Sequence, residues 1–210
     1  MFPLGTVLVP SGVLPLRVFE PRYRRMLEDL LPGNREFGVV LIERGSEVGG
    51  GEVRSRIGTM ARILEARESG DGHWAVVAMG LQRIMVERWL PDDPYPLAEV
   101  RPFPDRPGPS VDPASYAALR DRLRCLLDGL VALGETVPSD SVEIADDPAL
   151  GSLQMTALAP LTPFDRQRIL EVDRVEDRCR LLAELLGEGQ ELVDLRRRAG
   201  EGGAAPEPPR

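Results

Sequence analysis

The chain has 210 residues, 42% of them hydrophobic, enough for one generous domain or two small ones with a real core. Its formal net charge is −8, unevenly spread: residues 1–110 carry 15 acids against 14 arginines and residues 111–210 carry 19 against 12, which argues against a large nucleic-acid footprint on the second half. All 26 basic residues are arginine, so these residues contain neither a Walker A loop, which needs a lysine on the β and γ phosphates, nor a Ser-Lys proteolytic dyad.

The chain is organised around Phe2 to Leu31. Two apolar runs, Val7 to Val9 and Val13 to Phe19, are joined by Pro10-Ser11-Gly12 and read as strand, turn, strand. A helical pattern starts at Glu20-Pro21, where the fixed φ and missing N–H of proline cost nothing. Tyr23, Met26, Leu27, Leu30 and Leu31 share one helix face, and Arg22, Arg24, Arg25, Glu28 and Asp29 take the other.

Beyond the break at Pro32-Gly33-Asn34, the continuous apolar run Phe37 to Ile42 predicts a buried strand. Glu43 to Arg56, with Gly45 and the Gly49-Gly50-Gly51 run, reads as a mobile loop. It is not a phosphate cradle, because no helical pattern follows it directly. Ile57 to Ala66 and His73 to Met79 flank Ser69-Gly70-Asp71-Gly72 as a hairpin. Gly80 then predicts a bulge or corner before Gln82 to Leu90, and Leu97 to Val100 is a last short strand. Six or seven strands with one helix would leave edges exposed, so closure into a barrel is the expected architecture.

Pro102 to Pro109 reads as a stiff linker. After it the period becomes helical. Asp112-Pro113, Asp147-Pro148, Thr162-Pro163 and Asp173 are N-cap signals for four helices. Their expected apolar faces are Tyr116, Leu119, Leu123, Leu126, Leu127 and Leu130 on the first, and Leu150, Leu153, Ala157 and Leu158 on the second. On the last they are Val175, Cys179, Leu182, Leu185, Leu186, Leu192 and Leu195, with Gly187 and Gly189 as possible interruptions. Residues 134 to 146 read as a surface loop. The domain layout expected is therefore a β-barrel subdomain at 1–103, a linker at 104–111, a helical subdomain at 112–198 and a tail at 199–210. That tail is too poor in apolar residues to order.

Few residues suggest chemistry. His73 is the single histidine and reads as a hairpin residue, since no serine sits in a Gly-x-Ser-x-Gly elbow. With two cysteines, Cys125 and Cys179, set far apart among leucines, no metal-ligand cluster is evident, and both are read as reduced core residues. Asp92-Asp93 and Asp146-Asp147 are read as loop and cap acids. Glu20, between Phe19 and the helix start, would need partners such as Arg22 or Tyr23 if partly buried.

Phe2-Pro3-Leu4, Pro10, Leu14-Pro15-Leu16 and above all Phe19-Glu20-Pro21-Arg22-Tyr23, followed by Phe37-Gly38-Val39-Val40, resemble the N-terminal substrate-binding domain of the ATP-dependent protease Lon. Gly58-Thr59 and the Gly80 to Val86 segment fit in the same order. Arg17 departs from the family pattern, in which histidine is frequent. The resemblance implies an α+β chain: a PUA-like β pseudobarrel with one inserted helix, then a helical bundle. It also implies a stand-alone, non-catalytic module without cofactor or metal that binds unfolded or exposed apolar protein segments, with a separate protease as a candidate second partner. Arg17, Glu20, Arg22 and Tyr23 are the candidate binding residues. With no signal peptide and no membrane-length apolar run visible, a cytoplasmic protein is expected. RNA binding, with Arg17 to Arg25 as footprint, is the alternative. The acidic total and the 5% aromatic content weigh against it.

Overall fold

The computed structural model describes residues 1–45, 53–70, 72–137 and 143–201, without the side chains of 200 and 201. Of the loop expected at Glu43 to Arg56, residues 46–52 lie outside them, whereas Glu43, Arg44 and 53–56 are strand; the middle of the loop at 134–146, the tail beyond 201 and Asp71 also lie outside.

The fold is α+β. Six strands, β1 (Phe2–Leu4), β2 (Val13–Val18), β3 (Glu36–Arg44), β4 (Val53–Glu68), β5 (Trp74–Leu90) and β6 (Leu97–Pro102), form one mixed sheet in the order β1-β3-β4-β5-β2. Helix α1 (Pro21–Leu30) is inserted after β2. Only the β1–β3 pair is parallel, with Phe2 opposite Val39. The long β5 carries two short partners on one edge: its first part pairs with β2 (Val13 opposite Met79) and its second with β6 (Val86 opposite Val100).

The bulge expected at Gly80 is present. Met60 pairs with Gln82 and Ala61 with Gly80, so Leu81 has no opposite residue on β4. The Gly80 N–H donates to Gly12 C=O at 2.9 Å, and a Cβ on Gly80 would run into the carbonyl oxygen of Val9. Glycine is required here by close backbone approach.

The sheet curls round α1. Tyr23, Met26 and Leu27 of α1 are buried against Phe2, Leu14, Val18, Phe37, Val39 and Ala78, residues drawn from β1, β2, β3 and β5. The Phe2 ring meets Tyr23 edge-on at 4.1 Å and Phe37 at 6.1 Å.

Val7 to Val9 form no strand. All three are buried, but the Leu8 carbonyl accepts from Thr59 Oγ1 at 2.6 Å and the Val9 carbonyl from the Gly12 N–H at 2.9 Å. The Leu8 and Val9 carbonyls are thus satisfied by a side chain and a turn, with Ser11 at φ 65°, in place of a ladder. The first ladder strand is instead Phe2–Leu4, where Pro3 is tolerated because β1 pairs on one side only.

Helices α2 (Pro113–Ala132), α3 (Pro148–Leu158), α4 (Pro163–Glu171) and α5 (Val175–Glu201) follow. Asp112, Asp147 and Thr162 cap as expected, accepting from the backbone N–H groups of Ser115, Ala149 and Asp165. Asp173 lies two residues ahead of α5, and its carboxylate pairs with Arg106 at 2.9 Å. Gly187 and Gly189 do not interrupt α5. Gly129 on α2 faces Val193, and Gly189 faces Leu126, so the lack of a side chain lets the two helices approach. Helix α5 also runs past residue 198, through three residues expected in the tail.

Three expectations about burial are corrected. Cys125 is exposed, being two positions from Leu123 and so on the far side of α2; Cys179 is buried, and both thiols are free. Leu192 and Leu195 are 51% and 59% exposed, because Val193 turns inward against Gly129. Leu150, at the start of α3, is exposed while Leu153 is buried.

Sheet and helices meet in a third apolar cluster of Val7, Val9, Leu41, Ile57 and Leu170, flanked by Met85, Phe103 and Ala157. Beside it, Arg83 of β5 and Arg178 of α5 converge on the Asp105 carboxylate. Arg83 Nη2 lies 2.6 Å from Oδ1, and Arg178 donates to both oxygens. Arg83 also donates to the carbonyls of Leu170 and Val172, and Arg178 to Ala149 C=O and Ser152 Oγ. Burial, with Arg178 adding to it, lowers the Arg83 pKa to about 10.

Candidate binding site

The candidate site follows from how the sheet ends. Strands β1 and β2 stand at the two ends of the strand order, and among the described residues no ladder joins them. Between them lies a cavity of about 250 Å³, lined by Phe2, Leu4 and Thr6 on one side and Leu14 to Val18 on the other. Phe19, Glu20 and Tyr23 close the end where β2 turns into α1. Alternation along β2 builds this wall: Leu14 and Val18 are buried while Val13, Pro15 and Arg17 are exposed. Phe19 is 53% exposed and meets the His73 ring edge-on at 6.3 Å.

Three of the four candidate residues, Arg17, Glu20 and Tyr23, line the cavity. Arg22 does not, but it orders two that do. Its Nε donates to Glu20 Oε2 at 3.0 Å, and its guanidinium lies 4.6 Å from the centre of the Tyr23 ring. Glu20 occupies the N-cap position of α1 without capping it through its side chain, and Arg22 pairs with its carboxylate, which is 20% exposed.

The other arginines of this stretch are tied down. Arg24 donates to Gly72 C=O at 3.2 Å, and Arg25 pairs with Asp29 at 3.1 Å and Glu28 at 3.5 Å. Among the described residues, Arg17 alone of the group has neither an ion pair nor a side-chain hydrogen bond. The result is an apolar cleft with the Arg17 guanidinium on its rim, unpaired among the described residues.

Residue reasoning missed Phe2, Leu4, Leu14, Leu16 and Phe19 as cavity walls. The alternation of β2 signalled its inward side chains, but the approach of β1 to β2 left no local mark. Elsewhere, chemistry is sparse. The Cys179 thiol is pushed up by burial, so little thiolate forms at neutral pH. Among the described residues, no group of three His, Cys, Asp or Glu could hold a metal ion, and no helix is long and apolar enough to cross a membrane.

Comparison with known proteins agrees with this architecture. Residues 1–188 match the family described as the ATP-dependent protease La (LON) substrate-binding domain. Lon protease 2 of Sorangium cellulosum is 29% identical over 92% of this chain and 25% of its own length. Lon protease of Anaeromyxobacter dehalogenans is 26% identical over 91% of this chain and 23% of its own. The chain thus spans about a quarter of these curated relatives. Among solved structures, a Lon N-terminal domain protein from Xanthomonas campestris superposes with a TM-score of 0.63 at 27% identity, over 86% of this chain and 94% of that one. The N-terminal domain of the Mycobacterium avium complex Lon protease superposes with a TM-score of 0.59 at 20% identity, over 88% and 96%. With the family model covering sheet and helices alike, this chain belongs to the Lon substrate-binding domain family.

Proposed function

We propose that this domain binds unfolded or apolar-exposing segments of other proteins without chemistry of its own, and that the cleft between β1 and β2 receives them. The observation that carries the reading is the cleft itself: an apolar cavity of about 250 Å³ between two sheet ends, opening beside the exposed Phe19. Its size suits one or two apolar side chains. Burying a leucine or phenylalanine there would contribute about 1.5–3 kcal/mol, so binding is weak and sequence-tolerant, as a module that samples many clients requires. Handing such segments to a protease is the role proposed for the complex, in line with the family to which the chain belongs.

Arg22 and Arg25 being paired with carboxylates supports the protein-binding reading over RNA binding, because a phosphate backbone would have to displace those partners. The test is a fluorescence-anisotropy titration of the purified protein against a labelled, permanently unfolded polypeptide, with tRNA as competitor and salt varied. Saturable binding that survives tRNA and 0.5 M salt is expected, salt being chosen to exceed the screening of surface ion pairs. Binding lost to tRNA or falling steeply with salt would overturn the reading in favour of RNA. Peptide hydrolysis by the pure protein would overturn its non-catalytic character.

A further inference from the structure

We infer that the client segment enters the cleft as an added β-strand on the free edge of β2, and that the segment preferred carries an acidic side chain opposite Arg17. The inference rests on the protein-binding reading above and specifies how the segment is held.

The backbone register sets which groups are available. The Gly80 N–H donates to Gly12 C=O, and the register continues with Val13 opposite Met79 and Leu14 opposite Ala78. In an antiparallel ladder the bonded positions alternate. Leu14, Leu16 and Val18 therefore bond to β5, while the N–H and C=O groups of Val13 and Arg17, and the C=O of Pro15, point the other way. Among the described residues, that outer edge has no paired strand. Pro15 fits this parity, since its missing N–H would otherwise break the ladder to β5.

An incoming strand on this edge would lie between β2 and β1, over the cavity. Every second side chain would point inward, against Leu14, Leu16 and Phe2. The intervening ones would lie on the exposed face with Val13, Pro15 and Arg17. Arg17 has no ion pair among the described residues, so a glutamate or aspartate opposite it forms a cross-strand ion pair. The preferred segment is thus extended, apolar at alternate positions, with a carboxylate at one of the positions between.

The test uses the full chain and four labelled ten-residue peptides. One alternates leucine and threonine with a central glutamate. The second has glutamine there. The third and fourth are the first peptide N-methylated at alternate amides, one in each phase, which removes ladder donors and leaves the side chains unchanged. N-methylation in one phase is expected to weaken binding about tenfold or more and in the other phase much less, because only one set of amides faces β2. Glutamine is expected to weaken it about threefold, and Arg17→Gln to abolish that difference. Val13→Pro removes one outward N–H without touching the bonds to β5, and is expected to weaken binding several-fold with an unchanged melting temperature.

Equal binding of both methylated phases and the parent peptide, with the unfolded polypeptide still bound, would overturn strand addition and leave the protein-binding reading intact. Equal binding of the glutamate and glutamine peptides would remove the role of Arg17. Binding of neither peptide nor polypeptide would overturn both readings.

Discussion

Replacing Asp105 by alanine removes the carboxylate shared by two buried guanidiniums, Arg178 at 0% and Arg83 at 4% side-chain exposure. Stripping the counter-charge from a buried ion pair costs about 3–5 kcal/mol, since the remaining charge stays out of water. The lower end applies, because the Asp105 side chain is 26% exposed and the carbonyls of Leu170, Val172 and Ala149 still accept from the two arginines. A loss of about 3 kcal/mol in a chain of this size lowers Tm by about 6–12 °C. Differential scanning calorimetry at neutral pH measures it directly. Because the pairs are largely shielded from solvent, the drop should persist in 0.5 M salt, whereas a surface pair would be screened away. An Asp105→Ala protein melting within about 2 °C of the parent would refute the claim that this cluster locks the sheet to the helices.

The two thiols should differ in reactivity: an aromatic disulfide reagent is expected to titrate Cys125 quickly in the native protein and Cys179 only after denaturation, because burial both shields the latter and raises its pKa. Two fast thiols would show that α5 packs more loosely than described. Gly80→Ala places a Cβ against the Val9 carbonyl, and urea unfolding is expected to show a loss of about 1–3 kcal/mol, the range for overpacking; a neutral result would mean that the Pro10 to Gly12 turn shifts freely. Phe19→Ala, at a ring already half exposed, should change stability by less than about 0.5 kcal/mol yet weaken binding of an unfolded polypeptide several-fold. Unchanged affinity there would move the binding surface away from the β1–β2 cleft.

Much of the fold can be read from local patterns. The caps at Asp112, Asp147 and Thr162 each mark a helix start because a short side-chain acceptor followed by proline satisfies the first turn within three residues. The alternation of β2, the hairpin at Gly72 with its φ of 75° and the bulge at Gly80 are likewise local. The failures share one cause. Val7 to Val9 have the composition of a strand, but whether they pair depends on Thr59, fifty-one residues away from Leu8. Leu192 and Leu195 are spaced like core residues, yet the face that turns inward is chosen by the gap at Gly129 on another helix.

The same division runs through the site. Glu20, Arg22 and Tyr23 lie within four positions on a strand-to-helix corner, so their association could be inferred from spacing, and the Phe-Glu-Pro-Arg-Tyr run pointed to the Lon family. Period, caps and turn residues are properties of neighbours in the chain, and sequence alone determines them. The open cleft between β1 and β2 and the Arg83-Asp105-Arg178 cluster join residues far apart in the chain. Only the tertiary structure decides these, because the curvature of the sheet and the docking of helices on it depend on the summed packing of the whole core, in which no single segment carries the information.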